Sequence, residues 1–185
     1  FDNELHDAVA NVTIAEGPAN VPGIGVIPAG GEGRRRLNLD RVRVQGLAAD
    51  ARWQLAAGLA FTVRYLLDDT EVLRAAVAPN LQGLQLAQVP RQSATAGLSW
   101  RRGHWTFAPS LRWTGAQFED DQNTLRLAPA RVFDVAAGYT LRAGAEIFAS
   151  AENLFDERIE TGRSADGLVN TGTPRLLLVG VRLSR

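Results

Sequence analysis

The feature that most constrains this chain is a period of two in its apolar residues, which repeats over much of its length. Between residues 105 and 113 the odd positions are apolar, whereas the even positions hold Thr106, Ala108, Ser110 and Arg112. The same alternation occurs at residues 59–67, 94–101 and 133–141. Because successive side chains of a β-strand point to opposite faces, this pattern predicts strands with one apolar face and one small or polar face.

The apolar runs and turn residues together predict eight strands, at residues 4–14, 41–56, 58–68, 91–102, 104–118, 131–142, 144–157 and 174–184. Their connections alternate strictly in length. Short turns fall at residues 56–58, 102–103 and 142–144, and long links fall at about 15–40, 69–90, 119–130 and 158–173. Outer-membrane barrels sort their connections in this way. The prediction is an all-β fold: an antiparallel transmembrane β-barrel segment of about eight meandering strands, with short periplasmic turns and long extracellular loops, that occupies residues 1–185 as a single domain.

The aromatic residues favour the same interpretation. One group lies on the apolar positions close to the short turns, where a periplasmic girdle of amphipathic rings is expected: Trp53, Trp100, Trp105 and Tyr139. A second group lies toward the long links: Tyr65, Trp113 and Phe118. The alternative is that these rings fill the core of a soluble β-sandwich that acts as a binding module.

The composition excludes several classes of protein. Twenty basic and twenty acidic residues give a formal net charge of +0, which argues against a nucleic-acid binder. The chain has no Cys, so disulfides and thiolate metal sites are impossible. Its longest apolar runs are far shorter than the ~18 residues of a membrane helix. It also has no Met, and we therefore expect a processed product or a fragment with no signal peptide before Phe1.

One oxygen-rich cluster could bind Ca²⁺. It consists of Glu119, Asp120 and Asp121 followed by Gln122 and Asn123, in the third long link. The spacing matches no EF-hand, and we favour a solvated loop without a metal.

No other motif predicts chemistry. His6 and His104 are far apart and have no Glu-x-x-His partner, so a zinc site is not expected. The glycine-rich stretches 23–25 and 30–33 do not lie between a strand and a helix, and no Gly-x-Ser-x-Gly elbow is present. Residues 34–36, all Arg, are either an anion site or, more in keeping with their setting, a solvated or lipopolysaccharide-facing loop edge. We expect no catalytic residue, cofactor or metal, and hence no enzyme.

Several segments, in order, resemble TonB-dependent outer-membrane receptors. The stretch ENLFDERIETGRSADGLVNTGTPRLLLVGVRL, residues 152–183, resembles the C-terminal end of these receptors, in which Asn-Leu-Phe-Asp precedes a loop and a final Pro-Arg-led strand. Four further segments are similar to the family: NELHDAVANVTI (3–14), NLDRVRVQGLAADARWQL (38–55), LAQVPRQSATAGLSW (86–100) and GAQFEDDQNTLRLAP (115–129).

This resemblance implies a function and its partners. Members of the family combine an N-terminal plug domain and a TonB-contacting box with a barrel of about 22 strands, and they import ferric siderophores, haem, cobalamin or glycans. The implied partners are membrane lipid and lipopolysaccharide, TonB, the plug and a small-molecule or metal-chelate ligand. The implied location is the outer membrane of a Gram-negative bacterium. No plug is present in residues 1–185. The long links would supply part of the ligand surface, where Arg34, Arg35, Arg36 and Arg163 could meet an anionic chelate.

The last residue of the chain departs from the family, and the first and last predicted strands leave a second architecture open. The family usually ends on an aromatic residue, whereas this chain ends on Arg185, on the lipid-facing positions. Strand 4–14 could also pair with strand 174–184, which would close a self-contained eight-stranded barrel that acts as an anchor or adhesin. In either case Glu146 and Glu152 are expected to face a wet lumen, while Phe155 lies at the membrane boundary and residues 156–158 emerge into water.

Overall fold

The computed structural model describes residues 1–142 and 144–183. Within them it contains one 3₁₀ helix, Pro79–Leu81, and no helix that is long and apolar enough to cross a bilayer. The strands in chain order are β1 (Asp2–Glu16), β2 (Ala19–Val21), β3 (Gly25–Ile27), β4 (Glu32–Ala56), β5 (Leu59–Arg74), β6 (Gln92–Arg102), β7 (Trp105–Thr114), β8 (Gln117–Phe118), β9 (Arg126–Leu127), β10 (Ala130–Arg142), β11 (Ala145–Glu152), β12 (Glu160–Arg163), β13 (Val169–Thr171) and β14 (Leu176–Leu183).

Eight of these strands form one antiparallel sheet in the order β1-β4-β5-β6-β7-β10-β11-β14. The eight predicted strands and their meandering connection are therefore confirmed. Three long links carry a two-stranded hairpin each: β2–β3, β8–β9 and β12–β13. The remaining long link, residues 75–91, contains the 3₁₀ helix.

The first and last strands lie at opposite edges of the sheet. Among the described residues no pairing joins β1 to β14. The self-contained eight-stranded barrel is therefore not what the chain forms. The sheet is open, and among the described residues each of its edge strands, β1 and β14, pairs on one side only. Residues 143, 184 and 185 lie outside the described part of the chain, and with them part of the predicted turn at 142–144, the end of the predicted last strand and the interpretation of Arg185.

Several strand ends differ from the prediction. The pairing of β1 with β4 continues out to Glu16 opposite Glu32, so much of the predicted loop 15–40 is strand. Charged residues such as those at 34–36 had concealed the alternation there. Conversely, β11 ends at Glu152 rather than near 157, because Asn153 takes a left-handed conformation with φ 48°. Likewise β7 ends at Thr114, and Phe118 belongs to the hairpin β8–β9.

The pairing register confirms the predicted assignment of side chains to faces. Residues directly opposite each other on neighbouring strands point to the same face. Starting from Leu59, the partners across six strands form the row Leu59, Trp100, Phe107, Ala137, Ala149 and Val179. All six are apolar. We call this side of the sheet the outward face.

A small hydrophobic core lies at the long-link end. Link 75–91 folds back onto the extended parts of β1, β4 and β5 and buries a cluster of Val12, Leu39, Val42, Val72, Ala75, Ala78 and Leu81. Its backbone is held by hydrogen bonds in both directions between the link and β5: the Gly83 N–H donates to the Val72 carbonyl at 2.9 Å, and the Val72 N–H donates to the Leu84 carbonyl at 2.9 Å. The second long link is therefore a packed part of the fold.

Candidate functional site

The outward face exposes a continuous apolar band. Val179 is 81% exposed, Trp105 56% and Trp53 49%, although all three are large apolar or aromatic side chains. A soluble protein rarely leaves such a contiguous surface in water. The band continues along β4 from Trp53 to the first outward charged side chain, Arg43, ten residues away. At ~3.3 Å per residue and a tilt of ~40° this distance is about 25 Å, the height of the apolar band of outer-membrane barrels.

Aromatic rings border the band at both ends. Near the short turns Trp53 stacks on Phe61 with centroids 5.8 Å apart, and Trp105 lies 4.6 Å from Tyr139. Toward the long links, Tyr65 and Trp113 share an outward row through Ala94. The predicted girdle residues therefore lie on the outward face. Phe118 was wrongly included, since it lies outside the main sheet in β8.

Charged side chains follow immediately above the band: Arg43, Asp69 and Glu71 lie on the same face, and Arg91, in the link before β6, reaches Asp69. Arg43 pairs with Glu71, with its Nη2 2.5 Å from the carboxylate, and Arg91 pairs with Asp69 at 3.2 Å. The change from apolar to charged outward residues marks the outer boundary of the band.

The opposite face is concave and polar. Three ion pairs join neighbouring strands on it: Arg64–Asp50 at 2.6 Å, Arg112–Asp134 at 3.3 Å and Arg182–Glu146 at 2.8 Å. The prediction that Glu146 faces a polar interior is confirmed by its place in this set. Toward the short turns the face holds a groove of about 790 Å³, lined by residues of seven strands. A hollow shared by so many strands shows that this side is the inside of the curved sheet, and we call it the concave face.

Hydrogen bonds tie the long links to one another. The Thr13 N–H and hydroxyl donate to the two carboxylate oxygens of Asp121, at 2.8 and 2.7 Å, which joins β1 to the third link. The Asn123 side-chain amide exchanges two hydrogen bonds with the backbone of Gln85, at 2.8 and 3.0 Å, which joins the third link to the second. The Ala128 N–H donates to Glu160 at 2.9 Å, which joins the third link to the fourth.

The oxygen-rich cluster at residues 119–123, for which Ca²⁺ binding was considered, is therefore a structural element. Asp120 is only 2% exposed and accepts hydrogen bonds from the Thr124 N–H, the Thr124 hydroxyl and the Leu125 N–H. Burial by itself raises the pKa of Asp120, but these donated hydrogen bonds outweigh it and hold the pKa below the usual 3.8. The favoured prediction of a solvated loop is wrong for Asp120, because the link folds into a turn around that carboxylate. Among the described residues no group of acidic and His side chains is arranged to hold a metal.

The arginines that could meet an anionic ligand lie on two strands, β4 and β12. Residues 34–36 lie on β4 and not on a loop edge, which corrects the prediction. Arg34 is paired with Glu32 at 2.8 Å, and Arg163 with Glu160 at 3.2 Å. These two guanidinium groups are therefore already neutralised by neighbouring carboxylates. The His residues stay apart in the fold: His6 is on β1 beside Glu4, at 3.5 Å, and His104 lies at the β6–β7 turn.

The Asn-Leu-Phe-Asp stretch forms a capped turn that sequence reasoning missed. The buried Asn153 side chain donates to the carbonyls of Glu157 and Thr173, at 2.9 and 3.2 Å, and accepts from the Glu157 N–H at 2.8 Å. Asp156 accepts from the Arg175 N–H at 2.9 Å. Asp156 is exposed, in agreement with the prediction that it emerges into water, and it also ties the end of β11 to Arg175, the residue before β14. The left-handed preference of Asn is the one signal that could have predicted the turn.

The sheet, its apolar band and its concave polar face can now be compared with known proteins. Residues 1–154 match the family described as TonB dependent receptor-like, beta-barrel. The chain belongs to this family. No curated protein matches the sequence.

Three solved structures share the fold. The siderophore receptor PiuA from Acinetobacter baumannii superimposes with a TM-score of 0.73 at 15% identity, over 98% of this chain and 25% of its own. The copper transporter OprC superimposes with a TM-score of 0.72 at 17% identity, over 98% of this chain and 27% of the OprC chain. The ferric yersiniabactin uptake receptor FyuA from Yersinia pestis superimposes with a TM-score of 0.64 at 20% identity, over 80% of this chain and 24% of the FyuA chain. The chain thus spans about a quarter of the length of the receptors that it matches.

Proposed function

We propose that this chain forms part of the wall of an outer-membrane receptor that imports a bulky nutrient with energy delivered through TonB. The observation that carries the proposal is the outward apolar band, bordered by aromatic rings and lying on a meandering sheet with a polar concave face. Residues 1–185 form a single barrel segment, and the role of this segment is transport rather than catalysis.

The substrate we propose is a metal chelate, within a class that also includes haem, cobalamin and glycans. Two of the three names above support this choice, because they refer to a siderophore and to ferric yersiniabactin, and the third, which refers to copper, is in keeping with a metal. The extracellular links contribute part of the binding surface. Arg35 and Arg36 are its best cationic candidates, because both are exposed and neither forms an ion pair with another described residue.

We further propose where the partners contact this segment. The apolar band contacts lipid, and the charged outward row of Arg43 and Arg91 with their carboxylates lies at the level of lipopolysaccharide headgroups in the outer membrane of a Gram-negative bacterium. A plug domain fills the lumen against the concave face, and TonB acts on that plug.

Uptake measurements test the proposal. A strain that lacks the receptor gene and a complemented strain are given radiolabelled ferric siderophores, copper, haem, cobalamin and glycans in turn. We expect complementation to restore uptake of one of them, and the restored uptake to disappear when TonB is deleted. Restored uptake that survives deletion of TonB would contradict the energised mechanism, and no restored substrate would contradict the transport role.

A further inference from the structure

The third long link, residues 115–129, reaches far beyond the two strands that it joins. It connects β7 to β10, and yet its Asp121 binds Thr13 on β1. In the sheet, β1 and β7 are separated by β4, β5 and β6. At ~4.8 Å between neighbouring strands, this separation is about 19 Å along the sheet. The third link therefore crosses three strands at the long-link end.

The second long link is attached both to the sheet and to the third link. It covers Val42 and Val72, which lie directly opposite each other on the concave face. Its Gln88 N–H donates to the Phe118 carbonyl at 2.7 Å, and the Gln88 side-chain amide donates to Glu119 at 3.0 Å. The sheet, the second link and the third link are thus held together in sequence.

Two residues of the contact between the links hold an uncommon backbone conformation. Gln88 has φ 59° and Asn123 has φ 58°, both in the left-handed region. The Asn123 side chain exchanges hydrogen bonds with the backbone of Gln85, at 2.8 and 3.0 Å. Residues other than glycine persist in this region only where the surrounding contacts over-determine them. The contact is therefore built into the backbones of both links.

A single turn, residues 120–125, carries both attachments of the third link, and we call it the strap. Its Asp121 accepts from the Thr13 N–H and hydroxyl, at a register shift of β1. Two residues later, its Asn123 binds the second link. The buried Asp120 carboxylate accepts hydrogen bonds from the backbone of the strap and fixes its shape. Because both attachments stand on one fixed turn, releasing either of them loosens the other.

We propose that the strap joins the second link, the third link and residues 8–16 of β1 into one body that opens only as a whole. Segments of a protein that share such contacts open as cooperative units, with one free energy of opening for all their amides. The body also stays closed while cargo passes, a statement that rests on the proposed function.

Hydrogen exchange tests the common opening. The receptor is expressed from its own gene, purified in detergent micelles and followed by mass spectrometry at the Thr13 and Gln85 amides. Asn123→Gly removes the bonds to Gln85 and suits the left-handed backbone. We expect exchange to accelerate at Gln85 and also at Thr13, by the same factor of about ten or more. The reciprocal variant Thr13→Val, which removes only a hydroxyl, should accelerate exchange at Gln85 as well.

Two controls define the result. Gln122→Ala changes a strap residue whose side chain makes no hydrogen bond within the described part of the chain, and it should leave both rates unchanged. The Arg101 N–H, which is bonded at the short-turn end, should keep its rate in every variant. The proposal is overturned if Asn123→Gly accelerates Gln85 alone, or neither amide, while Arg101 keeps its rate. Where Asn123→Gly alters Arg101 too, the rate at Gln85 in Thr13→Val decides.

A cysteine pair tests whether the body stays closed during import. Residues 1–185 contain no Cys, so Thr13→Cys combined with Asp121→Cys places two thiols at a direct contact and nowhere else in this segment. We expect the thiols to join on oxidation, and TonB-dependent uptake to be equal in the oxidised and reduced receptor. Thiols that fail to join, or uptake lost on oxidation and restored by dithiothreitol, would overturn the closed body. Absence of uptake from the unmodified receptor would contradict the proposed function alone.

Discussion

At the scale of single residues, Asn153 has the largest structural role of any side chain in the Asn-Leu-Phe-Asp stretch. Its side chain makes three hydrogen bonds, to Glu157 and Thr173, from a buried position with φ 48°. Replacing it removes about 1 kcal/mol for each hydrogen bond and leaves buried backbone groups unpaired. We expect Asn153→Ala to lower the free energy of unfolding by about 3 kcal/mol, as measured by urea titration in detergent micelles.

The exposed Asn20 of β2 provides the matched control for this variant, since its side chain makes no hydrogen bond within the described residues. Asn20→Ala should leave the urea midpoint nearly unchanged. Equal losses in the two variants would show that the bonds of Asn153 contribute nothing specific.

Asp120 makes stability depend on pH. Its pKa is below 3.8 in the folded protein, so its stabilising contribution is fully present above its unfolded pKa and is lost as the pH falls through the lower, folded value. We expect the free energy of unfolding to decline on acidification below about pH 4, and to decline less steeply in Asp120→Asn. Unfolding titrations at a series of pH values measure both slopes.

Part of the decline should persist in the variant, because backbone and Arg163 contacts also lower the pKa of Glu160. Identical slopes would contradict this role of Asp120.

At the scale of elements, one aromatic ring explains the glycine at position 180. Phe148 on β11 is directly opposite Gly138 on β10 and Gly180 on β14. A Cβ on Gly180 would lie 2.6 Å from the Phe148 Cζ, whereas a Cβ on Gly97 would find nothing closer than 3.8 Å. The ring therefore covers the strand where Gly180 leaves space, an arrangement that offsets the weakness of glycine in strands.

Replacing Gly97 and Gly180 by alanine should change the free energy of unfolding in opposite directions. Gly97→Ala should stabilise the protein by about 0.4–1 kcal/mol, because the unfolded chain loses freedom at no cost in the fold. Gly180→Ala should destabilise it by about 1–3 kcal/mol, because the Phe148 ring must move. Urea titration in the same micelles compares them. Stabilisation by Gly180→Ala would show that the ring does not occupy this space.

At the scale of the whole molecule, lipid should distinguish the two faces of the sheet. Leu111 and Ser110 are neighbours on β7, but Leu111 belongs to an outward row with Phe133, whereas Ser110 is on the concave face opposite Asp134. In a bilayer, Leu111→Arg should cost about 2–4 kcal/mol and Ser110→Arg much less. Unfolding in phosphatidylcholine vesicles measures the difference. Equal costs would contradict the membrane assignment of the outward face.

The prediction from sequence succeeded where the signal is local. Alternation in segments such as 105–113 fixes which side chains share a face, because the period of two is a property of each strand by itself. Turn residues between the strands fix the meandering order for the same reason. The resemblance in segments such as 152–183 was enough to indicate the family. The match of residues 1–154 to the family then confirmed it.

Only the tertiary structure decided the roles of the polar side chains in the long links and at the edges of the sheet. Asp121 reaches Thr13 across 108 residues, and this contact depends on the register accumulated over all the strands between them. The open edges at β1 and β14 depend likewise on the curvature of the whole sheet. The sequence by itself therefore determined the faces, the strands and the family. Which carboxylates hold links together and which guanidinium groups are left to meet a partner was decided by long-range pairing, to which no local pattern of residues corresponds.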